Sequence, residues 1–299
     1  MNSKNTKLYF AIAFWALLIE IIAMPLRGYV SFMLCGVVTF SLFFIFQYIV
    51  LKKYEKRLKA GYILIASLIG CSFTQVPTRI IWFTDTLISL PDFLFHLLGI
   101  VLGYLFYISG KVFRIIILVF SLSSCLFFYF EGYDIWLHKL NFNSVTGIVK
   151  ADNKEYNPIF RTNRGDTLTL SDFKGKYLLF DCWCTSCGVC YREMPDMQQL
   201  YDEYKQNPEV EMYAVHFINF TKRANTPYED YSTGYGILQG KFSFPCLSFD
   251  DSENTELESI VKVFPTVLIF DKQSKLVFRG DIKYAKRFMR KLVKETKNK

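Results

Sequence analysis

Tyr177-Leu178-Leu179-Phe180-Asp181-Cys182-Trp183-Cys184-Thr185-Ser186-Cys187-Gly188-Val189-Cys190 decides the fold of the C-terminal half. Its first seven residues form an apolar run of strand type, entered through the turn Phe173-Lys174-Gly175-Lys176. Thr185 and Ser186 break the run. From Cys190 to about Tyr204 a helix is expected, because Met194, Met197, Leu200 and Tyr204 recur at helical spacing. A Cys-x-x-Cys thus falls between a buried strand and a helix. A thiol at a helix N-terminus faces unpaired backbone N–H groups and the positive end of the helix dipole, which favour its thiolate. Cys187 is therefore the expected attacking sulfur. Cys190, one turn in, can attack a mixed disulfide and release the product. Asp181 ends the strand core, where a carboxylate is unfavourable unless it has a task. The task that fits is proton exchange with Cys190, directly or through a water.

Working outward, Val210–Phe217 and Thr266–Phe270 read as further strands. A fourth, Leu276–Arg279, follows the polar turn Asp271–Lys275. The chain ends in a helix from about Tyr284, with Phe288, Met289 and Leu292 on one side and lysines on the other. This is a mixed α/β pattern.

The segment from Leu179 to Cys190, followed by Arg192-Glu193-Met194-Pro195, resembles the active-site segment of thioredoxin-fold proteins. It is most similar to the membrane-anchored TlpA/ResA-like thiol–disulfide oxidoreductases. Thr167–Lys176 resembles the lead-in of that branch, and Val263–Phe270 resembles the segment carrying the fold's cis-proline. The resemblance covers about residues 145–299. It implies a redox-active disulfide between Cys187 and Cys190, with Asp181 as the buried acid. It also implies a substrate groove shaped by Pro265, Phe264 and Trp183, in which the Phe264 backbone pairs with an extended substrate segment. Ser186 stands where the family usually has Trp, and Val189 where Pro is common. Cys184 replaces a small apolar residue and Cys182 an aromatic.

The first half has another character. The 299-residue chain is 52% hydrophobic and 18% aromatic, with 30 Phe, and these averages hide a division near residues 130–141. Leu8–Leu26, Gly28–Leu51, about Ala60–Phe83, about Thr86–Ser109 and Val112–Phe130 are apolar stretches on the scale of a bilayer span. The third is the weakest, turning polar at Thr74, Gln75, Pro77 and Arg79. The first has no small-residue cleavage site and is expected to be retained. Lys4 and Lys7, the cluster Lys52, Lys53, Lys56, Arg57 and Lys59, and the pair Lys111 and Arg114 alternate with loops carrying only Arg27 and Arg79. Five spans put every positive cluster on the cytoplasmic side and the C-terminal domain outside. The expected organisation is a multi-span region over 1–132, a juxtamembrane linker over 133–144 and a thioredoxin-like domain over 145–299.

Intramembrane Glu20, Arg79, Asp92 and His96 are functional candidates by default. Asp92 and Arg79 are read as near the interface, and His96 as structural, with no ligand partner visible. Cys35, Cys71 and Cys125, each alone in its span, suit inert packing. Cys35 and Cys125 do fall at similar depth, roughly 9 Å below the outer surface at ~1.5 Å per residue, which leaves a redox pair open. His138 and Trp136 suit the membrane interface, and His216 a strand end without a catalytic role.

The net charge of +8 does not point to nucleic acid, because the basic residues lie in a topological loop and on the C-terminal helix face. No nucleotide, flavin or haem motif is present, so no cofactor is expected. The spacing Cys184-x2-Cys187-x2-Cys190 opens a second reading, a metal-binding or redox-sensing module on the same scaffold. Cys182 or Cys246 would complete an iron–sulfur, zinc or copper site. The expected function is disulfide reduction in exported proteins by an enzyme of a bacterial inner membrane, its C-terminal domain facing the periplasm or exterior. Its partners are protein dithiols or disulfides, a membrane electron donor or acceptor and the lipid bilayer.

Overall fold

In the computed structural model, residues 3–149, 156–217, 235–236, 238, 240–249, 257 and 259–297 are described. They divide into two compact units, Met1–Leu140 and Asn141–Lys299.

The C-terminal unit is built on one mixed sheet. Its strands are β1 (Ile159–Arg161), β2 (Thr167–Thr169), β3 (Tyr177–Trp183), β4 (Val210–Phe217), β5 (Cys246–Phe249), β6 (Thr266–Phe270) and β7 (Leu276–Gly280), in the order β2-β1-β5-β4-β3-β6-β7. The run that opened the sequence reading is the interior strand β3, parallel to β4 and antiparallel to β6. Its backbone is paired on both edges over Leu178 to Cys182, and both faces of the sheet are covered, so Leu178 to Trp183 are all buried.

Pleat alternation then sorts its side chains. Leu178, Phe180 and Cys182 join Val215, Phe217, Leu247, Phe249, Leu268 and Phe270 in one apolar cluster. Leu179, Asp181 and Trp183 point to the opposite face. A long helix, Gly188–Tyr204, covers that face and brings the Tyr191 ring within 5.8 Å of the Trp183 ring. The C-terminal helix Ile282–Lys297 packs on the helix Gly188–Tyr204 and on β7, burying Ala285 and Met289.

The N-terminal unit is helical. Its helices are α1 (Ser3–Tyr29), α2 (Phe32–Tyr54), α3 (Ala60–Ile81), the short α4 (Phe83–Thr86), α5 (Leu90–Ile108), α6 (Lys111–Phe127) and α7 (Tyr133–Phe142). The two helices of the C-terminal unit follow as α8 (Gly188–Tyr204) and α9 (Ile282–Lys297). A π-helical turn, Phe128–Gly132, joins α6 to α7. Five stretches, Lys4–Arg27, Phe32–Tyr54, Ala60–Ile81, Phe83–Ile108 and Lys111–Phe142, are long and apolar enough to cross a membrane. Their outward faces are apolar, with Phe10, Ile80, Val112 and Phe113 all at least 65% exposed.

Small residues set the helix contacts. Gly99 and Gly103, a Gly-xxx-Gly on α5, lie against the Phe40 and Phe44 backbone of α2; a Cβ on either would sit 2.5 Å from a carbonyl oxygen. A Cβ at Gly70 of α3 would sit 2.1 Å from the Ala13 carbonyl oxygen of α1.

Candidate active site

The site lies where β3 ends and α8 begins. Cys187 is the N-cap of α8, and Cys190 is in its first turn, 3% exposed. The two are joined in a disulfide with Cα atoms 5.3 Å apart. Cys187 Sγ accepts the Cys190 backbone N–H at 3.1 Å. That N–H is one of the four that a helix start leaves without an intrahelical partner. In the reduced state the same donor, with the helix dipole, favours a thiolate on Cys187.

The connecting loop is held by side chains around its entry. Thr185 Oγ1 lies 2.7 Å from His216 Nε2, and Tyr191 donates its hydroxyl to the Thr185 carbonyl at 2.9 Å. The Trp183 ring packs edge-on against His216, at 4.7 Å. His216 is fully buried at the end of β4, opposite Trp183 in the strand register. It is a packing and loop-anchoring residue.

Asp181 is 5% exposed on the α8 face of β3. Burial pushes its carboxyl up to about 7, and its Oδ1 has no hydrogen-bond partner among the described residues. A second acid joins it. Glu193, one turn beyond Cys190 on α8, has an Oε2 without a partner among the described residues. Burial, then the negative charges of Asp181, Asp281 and Asp196, push it up to about 8. Sequence reasoning quoted Glu193 but gave it no role. The signal was its i,i+3 spacing from Cys190 on the α8 face that meets the sheet. The strand and the helix that flank the cysteine pair thus each carry a buried carboxyl pushed up toward neutrality.

Pro265 immediately precedes β6, whose Thr266 pairs with Cys182, so it stands at the Trp183 end of β3. The Phe264–Pro265 peptide bond is cis. The half-buried Phe264 ring packs against the core at Phe217, 5.2 Å away.

The extra cysteines separate by face. Cys182 is fully buried in the apolar cluster on the far side of β3, its thiol pushed up by burial. It cannot complete a ligand set with Cys187 and Cys190. Cys246 pairs with Ala214, which pairs with Asp181, so it lies two strands from the acid, roughly 10 Å at the usual strand spacing. Burial pushes its thiol up to about 12. Cys184 Sγ lies 3.6 Å from Ser186 Oγ.

In the N-terminal unit the expectation of a His96 without partners needs correction. Asp92, in the first turn of α5, is fully buried, and His96 has partners on both ring nitrogens. Its Nδ1 lies 2.8 Å from Glu20 Oε2 and its Nε2 3.0 Å from Asp92 Oδ1. Arg27 ties the two acids together, through Nε to Asp92 and through Nη2 to Glu20 at 2.6 Å. Only the helical spacings 92/96 and 20/27 were visible in sequence; the contact of α1 with α5 was not. Arg79 does lie at a helix end, donating to the Ser89 carbonyl at 2.8 Å. Cys35 and Cys125 are both free thiols. His138 is buried, and Trp136 donates to the Leu87 carbonyl at 2.9 Å.

Comparison with known proteins bears on the C-terminal unit alone. Residues 150–279 match the AhpC/TSA family. Thiol-disulfide oxidoreductase ResA of Halalkalibacterium halodurans is 28% identical over 140 residues, covering 46% of this chain and 72% of that protein. Thioredoxin-like protein YneN of Bacillus subtilis is 30% identical over 115 residues, 38% of this chain and 61% of its own. Among solved structures, the thioredoxin domain of a thiol-disulfide oxidoreductase from Bacteroides vulgatus is 25% identical, with TM-score 0.38, and covers 48% of this chain and 99% of that one.

Proposed function

From the premise that the C-terminal unit is a thioredoxin-like thiol–disulfide oxidoreductase domain, we propose that the chain is a membrane-anchored reductase of disulfides in exported proteins. The observation that carries this reading is a disulfide at the N-cap of α8 with two proton-holding acids on the same face.

In the reduced enzyme the Cys187 thiolate attacks a substrate disulfide. One substrate sulfur leaves as a thiolate, and the other stays bonded to Cys187. Cys190 then loses its proton to Asp181, with Glu193 sharing the proton load, and attacks Cys187. The second substrate thiol leaves, and the Cys187–Cys190 disulfide remains. Two electrons have passed to the substrate, and a membrane-bound dithiol donor must return them. Pro265 shapes the groove beside the sulfurs, and the Phe264 backbone pairs with an extended substrate segment.

The helical unit crosses a bacterial cytoplasmic membrane five times. Lys4 and Lys7, the loop Lys52–Lys59, and Lys111 with Arg114 lie at one end of the helices, which supports a cytoplasmic placement of that end and an exterior C-terminal domain.

The deciding experiment is Cys190→Ser in the intact membrane protein. It should accumulate mixed disulfides between Cys187 and exported proteins, released by reductant. A clean background, with Cys187 free, refutes the exchange mechanism.

A further inference from the structure

The geometry points to a metal site in the helical unit: a divalent ion of the zinc class on Glu20, Cys71 and His96. These residues come from α1, α3 and α5, all three are fully buried, and their ligand atoms lie within 4.8 Å of one another. The inference does not depend on the thiol-exchange reading.

The orientation of each side chain carries the assignment. Glu20 Oε1 is taken up by Arg27 at 2.6 Å and Gln75 at 2.5 Å. That leaves Oε2 directed at His96 Nδ1, 2.8 Å away, with Cys71 Sγ at 4.0 Å. His96 turns its other nitrogen to Asp92, whose second oxygen is held by Arg27. A metal-bound imidazole characteristically donates its remaining N–H to a carboxylate, which fixes its tautomer and ring plane. Here that carboxylate is in place and is itself oriented.

The donor set is one oxygen, one nitrogen and one sulfur. Zinc takes all three, and three protein ligands leave a fourth tetrahedral position for water. Charge also closes. On binding, the Cys71 thiol releases its proton to water. The thiolate, Glu20 and Asp92 then balance Arg27 and a doubly charged ion, as a site shielded from water requires. Cys35, with Asp92 and His96, makes a competing triad on the other side of the ring. Its thiol is already engaged by the Ala23 carbonyl at 3.4 Å and by Thr39 Oγ1 at 3.8 Å, both outside the triad, whereas the Cys71 thiol is directed at Glu20 Oε2, itself a donor of the proposed set. Cys71 is therefore the ligand.

The test uses the full chain in detergent, stripped with a chelator and titrated with Co²⁺. One equivalent should bind with a thiolate-to-cobalt charge-transfer band, and Zn²⁺ should displace it. Cys71→Ser should remove the band, whereas Cys35→Ser and Cys125→Ser should keep it. Asp92→Asn should weaken cobalt binding roughly 10–100-fold. A wild type without the band, or a band that survives in Cys71→Ser, overturns the assignment. Should Cys71→Ser fail to accumulate, X-ray absorption on the cobalt-loaded wild type decides instead. A shell of one sulfur with nitrogen and oxygen supports the site, and a shell with no sulfur or several refutes it.

Discussion

Asp181→Asn isolates what burying an acid under α8 does to this domain. In an unfolded chain the carboxyl releases its proton near 3.8, and in the folded domain burial moves that release to about 7. Between these values the folded state holds a proton that the unfolded state has lost. Stability therefore falls as pH rises through the window, and the loss is complete above about 7. At ~1.4 kcal/mol per tenfold change, the window is worth on the order of 4 kcal/mol. This is a ceiling, since a site that relaxes or admits water gives less. Asparagine keeps the shape and carries no charge, so the variant lacks this slope. Urea unfolding of oxidised residues 141–299, measured from pH 4 to pH 9, reads the difference directly. The variant should gain on the wild type as pH rises and then level off above about pH 8. Glu193, pushed up from 4.5 to about 8, gives a slope of its own in both proteins, so the difference between them reports Asp181. Parallel pH profiles for the two proteins would refute the claim that Asp181 is folded in as a protonated acid.

The same chemistry predicts a kinetic counterpart. Resolution of a preformed mixed disulfide on Cys187 should accelerate as pH rises through about 7 in the wild type. In the Asp181→Asn, Glu193→Gln double variant it should slow at least tenfold and follow only the Cys190 thiol, read by stopped-flow product release. Cys187→Ser should abolish reduction of insulin-type disulfides, and retained turnover would move the attacking role elsewhere. Gly70→Leu should prevent stable accumulation of the full chain, because even its Cβ would lie 2.1 Å from the Ala13 carbonyl oxygen; normal yield and helicity would show that α1 and α3 do not pack this closely. Protease added outside spheroplasts should remove the C-terminal domain while cytoplasmic markers survive, and a protected domain would reverse the topology.

What the sequence made legible was whatever depends on near neighbours. The β3 run, its break at Thr185-Ser186 and the α8 periodicity sit within about one strand and one helix, and each is written in local hydrophobic spacing. Thr266–Phe270 was equally plain as a largely apolar run, and Val210–Phe217 is broken only by Glu211 and His216. The short strands β1 and β2 at one side of the sheet, three residues each, carry too little pattern to be seen. Glu193 was missed because its meaning comes from Asp181, which reaches it only once α8 lies across the sheet. The partners of His96 were missed for a related reason. Its partner Glu20 is 76 residues away on another helix, and apolar spans give no periodic cue to which faces meet.

The close-packed glycines have a mechanical consequence. Gly99 and Gly103 seat α5 on α2, and Gly70 seats α3 on α1, so four of the helices form two closely packed pairs, each acting as a plate. Glu20, Arg27, Cys71 and Gln75 ride on one plate, and Cys35, Asp92 and His96 on the other. The ion pairs of Arg27 with Asp92 and of Glu20 with His96 cross the seam between them. Prying the plates apart means stripping buried charges of their partners, so the cluster acts as a latch. A single ion on Glu20, Cys71 and His96 would rivet it shut.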